Sequence, residues 1–381
     1  MTKNKKVIAL IAIPVLLIVF FLYTMISQGI FFNKGTKLAV SGSKSYISPG
    51  KLLYTSGSDD GAWIVYLKTG QTVVSYLDKQ GNKNWQNVYA EPNLNVNSSK
   101  NFTIIGESDD KEVKIIDTSG NEVLAWDAKG NPLFCDVNDE GKSIVVSNVM
   151  SENNAEWVTN LTVASLKKNG SKYLVSKDLT KDYIDTEFID VKLWNNGVIA
   201  LVYNTSEAEK GQYIIILDNE GVELQRHKVD DSVSEINVSP SGDLIVWAVN
   251  NIVYKFNGST NKITELKYKG VVDCGFISDT KLYLISNQTG IIPYGRRVHV
   301  SETDLTGKAI LKANFPGYLV KSEVSSEGSL SVTTNKGMYN IQGSKGAWYA
   351  ENDKEVFSSV VLNDIIYLIS KDNTLTWYQK P

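Results

Sequence analysis

One short pattern returns along this chain and limits what it can fold into. NLNVNSSKNFTIIGE (93–107), FCDVNDEGKSIVVSN (134–148), EINVSPSGDLIVWAV (235–249) and KSEVSSEGSLSVTTN (321–335) share a plan. Each reads as a short strand, a polar turn and a second, more apolar strand. Degenerate copies occupy 188–204, 271–287 and 357–370, and SYISPGKLLYTSG (45–57) makes an eighth. Anchors near residues 46, 95, 136, 190, 237, 275, 323 and 359 give a mean step of about 45 residues, the span of a four-stranded repeat unit.

Between these copies lies a second recurrence. Asp78-Lys-Gln-Gly81, Asp117-Thr-Ser-Gly120, Asp218-Asn-Glu-Gly221 and Asp304-Leu-Thr-Gly307 each separate two alternating runs, and Lys167-Lys-Asn-Gly170 is a variant. Asp can accept from the turn backbone and Gly can take a positive φ, so these are hairpins. A β-rich repeat of this length with four strands per unit is the signature of a β-propeller. The last unit ends after NTLTWYQ (373–379), one strand short, and KLAVSG (37–42) can supply that strand from the front. Such closure removes an exposed sheet edge. The expectation is all-β with eight blades. Seven blades is the runner-up, because DDGAWIVYLKTG (59–70) reads as an insert that blurs the register of the first blade.

The N-terminus is different in kind. Residues 7–26 form an uncharged apolar run, extended by Gly29, Ile30, Phe31 and Phe32. About 20 helical residues cross a bilayer core, so the run is long enough to span. It is too long for a secretory signal, and bulky Tyr23, Met25 and Ile26 stand where a cleavage site would need small residues. Lys3, Lys5 and Lys6 precede it, which favours a cytoplasmic N-terminus. The expected organisation is a cytoplasmic tail (1–6), a transmembrane signal-anchor helix (7–32) and a propeller ectodomain (36–381). That places the protein in the cell membrane as a single-pass chain with its propeller extracytoplasmic.

Charge follows this division. Residues 1–58 hold seven of the 39 basic groups and no acidic one, leaving 32 against 42 acidic, or −10, for the remainder. An acidic bulk argues against a nucleic-acid partner.

Few residues suggest chemistry. The two histidines, His227 and His299, fall in different blades; His227 reads as solvated on an outer strand and His299 as a strand surface residue. No nucleophile elbow, metalloprotease helix or phosphate loop occurs, so no enzyme is expected. Cys135 and Cys274 fall on inner strands three blades apart, about 135° around the ring and beyond disulfide reach, so both read as buried thiols. Asn95, Asp136, Asp190, Asn237 and Glu323 fall at equivalent inner-strand positions, with Gly275 in blade six. If they face the channel they form a partial ring of oxygen donors suited to Ca²⁺. Trp63 and Trp194 lie near expected loop ends and are binding candidates, as are Arg296 and Arg297 in a loop expected between strands.

The hairpin with a following aromatic, as in YLDKQGNKNW (76–85) and IIDTSGNEVLAW (115–126), resembles PQQ-like and WD40-like propeller repeats across most of residues 45–379. A single span followed by such repeats is similar to the uncharacterised DUF5711-type family of Gram-positive bacteria. The resemblance implies a propeller outside the membrane and no reaction. The chain lacks the GH…WD pairing of regular WD40 blades and the cofactor constellation of a working quinone dehydrogenase. Two functions are therefore expected to compete: a binding or scaffolding module for a cell-envelope protein, and a channel-mouth enzyme or ligand sensor using Asp136, Asp190 and Glu323.

Overall fold

The Asp-x-x-Gly sequences close hairpins as their chemistry requires. At Asp117 the N–H of Gly120 donates to the Asp carbonyl at 2.9 Å, while Oδ1 accepts from the N–H groups of Ser119 and Asn121 at 2.9 Å each. Asp78, Asp218 and Asp304 repeat this arrangement. Gly81, Gly120, Gly221 and Gly307 take φ values of 74–86°, where a side chain is disfavoured. Gly170 of the variant turn lies outside the described residues.

The computed structural model describes residues 14–23, 32–45 and 50–380, except positions 59, 93, 151–156, 170–171, 196, 230–232, 290–295, 326, 344 and 363. Its strands form eight sheets, each built on four antiparallel strands and arranged as a blade, so eight rather than seven is the count. In blade one the strands are Lys51–Gly57, Gly61–Lys68, Gln71–Asp78 and Lys83–Tyr89. The supposed insert is thus the second strand of that blade, and the first strand begins at Lys51 rather than near residue 46. The strand Gly61–Lys68 is buried on both faces over most of its length, so it shows no alternation to mark its register.

First strands of neighbouring blades touch one another around the ring and are therefore innermost. Second strands such as Phe102–Gly106 are buried throughout, because adjacent blades cover both faces. Eight clusters of buried apolar side chains fill the spaces between consecutive blades, including Ile64 with Tyr367 between blades one and eight. The core is a ring of interfaces rather than one centre.

Closure comes from the N-terminus, three residues later than expected. Val40–Ser45 pairs antiparallel with Thr374–Gln379 as the outer strand of blade eight. Thr36–Lys37 also adds, in parallel, to Lys345–Glu351 of blade seven. Residues 36–45 thus strap two blades together. Gly42 lies under Trp377, whose ring would be 2.1 Å from a Cβ there.

Ahead of the strap, residues 14–23 are helical, with Leu16, Phe20 and Tyr23 exposed. No helix among the described residues is long and apolar enough to cross a membrane. Residues 1–13 and 24–31, which include the tail and most of the expected span, lie outside the description.

Candidate functional site: the central channel

Backbone register decides which inner-strand residues are equivalent. The first strands of blades one, three, four, six, seven and eight each carry a β-bulge, at Leu53, Leu133, Ile189, Val272, Val320 and Phe357. The residues that follow are Tyr54, Phe134, Asp190, Asp273, Lys321 and Ser358. Phe134 and Lys321 lie four residues before the turn-closing N–H groups of Asn138 and Ser325; by the same spacing from Ser99 and Ser239, Asn95 and Glu235 join this row in blades two and five. Asp136, Asn237 and Glu323 lie two residues further on, level with Asn97 and Lys192. The expected ring therefore merges two rows. Because a strand repeats every two residues, both rows project to the same side of the sheet, and composition alone does not separate them.

These side chains join neighbouring blades. Tyr54 Oη donates to Asn97 Oδ1 at 2.9 Å, and Asn97 Nδ2 donates to Asp136 Oδ1 at 2.9 Å. The second Asp136 oxygen accepts from the Leu193 N–H at 3.1 Å. Lys192 Nζ lies 3.5 Å from Glu235 Oε1, and Asn237 Nδ2 donates to the Cys274 carbonyl at 2.9 Å. Ser322 Oγ donates to Asp273 Oδ2. Hydroxyl pairs Thr333–Ser359 and Ser358–Thr55, each 2.7 Å apart, complete the circuit. Each neutral bond is worth on the order of 1 kcal/mol, and together they hold the blades in register.

Three of the five expected oxygen donors line two separate cavities, each of about 170 Å³. Asn95 and Asp190 share one with Asn97, Phe134 and Lys192. Glu323 lines the other with Ser56, Ser58, Lys100, Leu362 and Lys380, between blades seven, eight and one and the first turn of blade two. Among the described residues no three His, Cys, Asp or Glu side chains are grouped to hold a metal ion. Asn95 and Asp190 thus share one cavity and Glu323 lines another, while Asp136 and Asn237 line neither and both Asp136 oxygens already accept hydrogen bonds.

The electrostatics centre on blades three to six. Burial raises the Asp136 and Asp190 carboxyls, against the attraction of Lys192. Burial pulls the Lys192 ammonium down, but Asp136, Glu235 and Asp190 carry it above its ordinary value. Asp273 is raised to about 6, first by burial and then by Glu235. A carboxyl raised above its unfolded value of about 3.9 holds its proton more tightly when folded, so it favours the native state in acid, and that contribution is lost as pH climbs through about 6. Asp273→Asn is therefore expected to be more stable than the parent at pH 8 by roughly 2 kcal/mol, with the difference fading towards pH 4. Urea unfolding across this range measures it, and a pH-independent difference would refute the assignment.

Several expectations change. Trp63 is fully buried, its indole N–H donating to the Ser99 carbonyl at 3.1 Å. Trp194 is buried against Phe256 and donates to the Leu217 carbonyl at 3.2 Å. Both are core residues: the loop-like Asp and Asn neighbours misled, because each Trp lies on a strand inside a blade interface. Asn196, beside Trp194, lies outside the described residues. Arg296 and Arg297 open the strand Arg296–Asp304 rather than occupying a loop, with Arg296 exposed. His299 is buried, not superficial; its Nδ1 is 3.2 Å from Asn314 Oδ1, and burial lowers its pKa. His227 is half-buried on the outer strand Glu223–Val229, with its ring 4.6 Å from Tyr254. Cys135 and Cys274 are buried free thiols, as expected. Tyr54, Lys192, Glu235 and Asp273 were missed. Tyr54, Glu235 and Asp273 belong to the row two positions before Asp136 and Asn237, which was the signal for them, and Lys192 stands level with Asp136, two residues after Asp190.

No protein family and no curated protein matches the sequence. Solved structures do match. BamB from Moraxella catarrhalis aligns over 90% of this chain and 99% of its own at 15% identity, with a TM-score of 0.53. The Dos1 propeller aligns over 91% of this chain and 94% of its own at 10% identity, with a TM-score of 0.56. Likeness at such identity concerns the fold, and on that ground this chain is a β-propeller of eight blades.

Proposed function

We propose that this protein is a membrane-anchored, extracytoplasmic propeller that serves as a binding or scaffolding module for a cell-envelope protein. The observation that carries this reading is the strap. Residues 36–45 bind the rims of blades seven and eight directly after the apolar N-terminal run, so a membrane helix would hold a closed ring rather than a loosely tethered one. Phe32 packs edge-on against Phe315 at 5.9 Å, and the Asn33 carbonyl accepts from Gly346 N–H at 2.7 Å, which continues the docking back towards the helix. The apolar faces of residues 15–23 are exposed, as a bilayer segment requires.

The test is topological. The full chain with a C-terminal tag is expected to stay in the membrane pellet after alkaline carbonate washing, and external protease should remove the tag from intact cells. Release into the supernatant, or a tag protected until the cells are lysed, would overturn the reading. The ligand-sensor alternative draws on the cavity that gathers Lys100 of blade two, Glu323 of blade seven and Lys380 after the last strand of blade eight.

A further inference from the structure

Leu53, Ile189, Val272 and Phe357 are 40–45% exposed, unusual for large apolar side chains on innermost strands. They are structurally equivalent. Each is the extra residue of the β-bulge in the first strand of its blade, in blades one, four, six and eight. Leu133 and Val320 occupy the same bulge in blades three and seven and are half-buried. A bulge releases one residue from the ladder and re-aims it. Neighbouring blades cover both faces of an inner strand, so a side chain exposed near its beginning opens on the mouth of the channel. Single exposed apolar residues are ordinary, but this set recurs around a closed ring and forms a collar.

Charge is distributed unevenly beside the collar. The next residue on each strand is Asp190 in blade four and Asp273 in blade six, and Glu235 stands between them in blade five. Glu235 acts electrostatically on both. Asp136, Asp190 and Glu235 act on one ammonium, Lys192, which is 3.5 Å from Glu235. Asp273 Oδ1 is buried and accepts no hydrogen bond. In blade seven, by contrast, Lys321 is paired with Glu323 at 2.6 Å. The carboxyl excess therefore lies on blades three to six.

We propose that this mouth of the channel docks a protein segment with apolar side chains and at least one Lys or Arg. The apolar side chains seat on the collar, and the cation reaches the carboxyls between blades four and six. The proposal rests on the binding-module reading and names the chemistry of its partner.

The probe is a short amidated peptide of alternating leucine and lysine. Its controls carry glutamate for lysine, or serine for leucine. Binding is measured by fluorescence anisotropy to the full chain in phosphatidylcholine nanodiscs, with empty discs subtracted. The leucine–lysine peptide is expected to bind and both controls to bind more weakly. Ile189→Ser with Phe357→Ser is expected to weaken binding by about tenfold or more, because both residues are exposed and lose only contact area. Glu235→Gln is expected to weaken binding and flatten its salt dependence. Unchanged binding by the Ile189/Phe357 variant, equal binding of the glutamate peptide, or no binding at all would overturn the proposal. So would a dimer in sedimentation that the same variant abolishes, since a second copy would then be the occupant. Carbonate extraction and protease access read the membrane display separately, so failure here is distinguishable from failure of the anchor.

Discussion

Replacing Trp63 by alanine is expected to destabilise the protein by about 3–5 kcal/mol, a large share of the ~5–15 kcal/mol that holds a typical domain together. The indole is fully buried between blades one and two. Its ring centroid lies 4.8 Å from Tyr76 and 5.6 Å from Trp85, both edge-on, so deletion leaves two aromatic rings facing a void. It also orphans the Ser99 carbonyl at the turn of blade two. Trp63→Phe should recover much of the loss by refilling the volume without the N–H. Denaturant midpoints for the three chains measure this series. A Trp63→Ala loss below about 1 kcal/mol would return this residue to the surface role that its sequence neighbours suggested.

The second large effect concerns closure of the ring. Two truncations separate the anchor from the strap. A chain beginning at residue 32 loses the apolar run and keeps the strap; it is expected to fold. A chain beginning at residue 46 loses the strap as well, and is expected to aggregate or to melt more than about 10 °C lower. Without the strap, Thr374–Gln379 presents an unpaired edge, and the Met338–Trp348–Ile366 cluster loses Leu38. The contact of Gln379 N–H with Ser41 Oγ at 3.0 Å and the Lys37–Glu351 ion pair at 3.1 Å go with it. The exposed ion pair contributes little, so the edge and the buried leucine dominate the expected loss. Equal melting temperatures for the two truncations would show that blade eight closes without help from the N-terminus.

Much of the architecture was legible because it is local. An Asp-x-x-Gly turn carries its own acceptor and its own positive-φ residue within a few positions, so Asp78, Asp117, Asp218 and Asp304 could be assigned before any tertiary contact was known. The same holds for the missing last strand, which counting alone exposed. The channel was less legible. Asn95 and Asp136 look equivalent in sequence, yet their rows are two residues apart, because Asn95 lies four residues before the turn-closing N–H of Ser99 and Asp136 only two before that of Asn138. Where each strand enters its turn depends on how it pairs with its neighbour, and a polar residue two positions away looks the same in sequence. Trp63 and Trp194 were misplaced for a related reason: adjacent Asp, Asn and Gly suggested loops, while burial is set by the neighbouring blade.

The recurring hairpins and the step of about 45 residues, taken alone, determined an all-β ring with a borrowed strand and an apolar leader, because turn chemistry and strand alternation act over a few residues. Tertiary structure alone decided that the strap crosses two blades, that Asp190 and Glu323 line separate cavities, and that equivalent bulges set an apolar collar beside an acidic arc. Those features depend on which strands meet and in what register, and register is decided by the burial of whole faces rather than by any short stretch of chain.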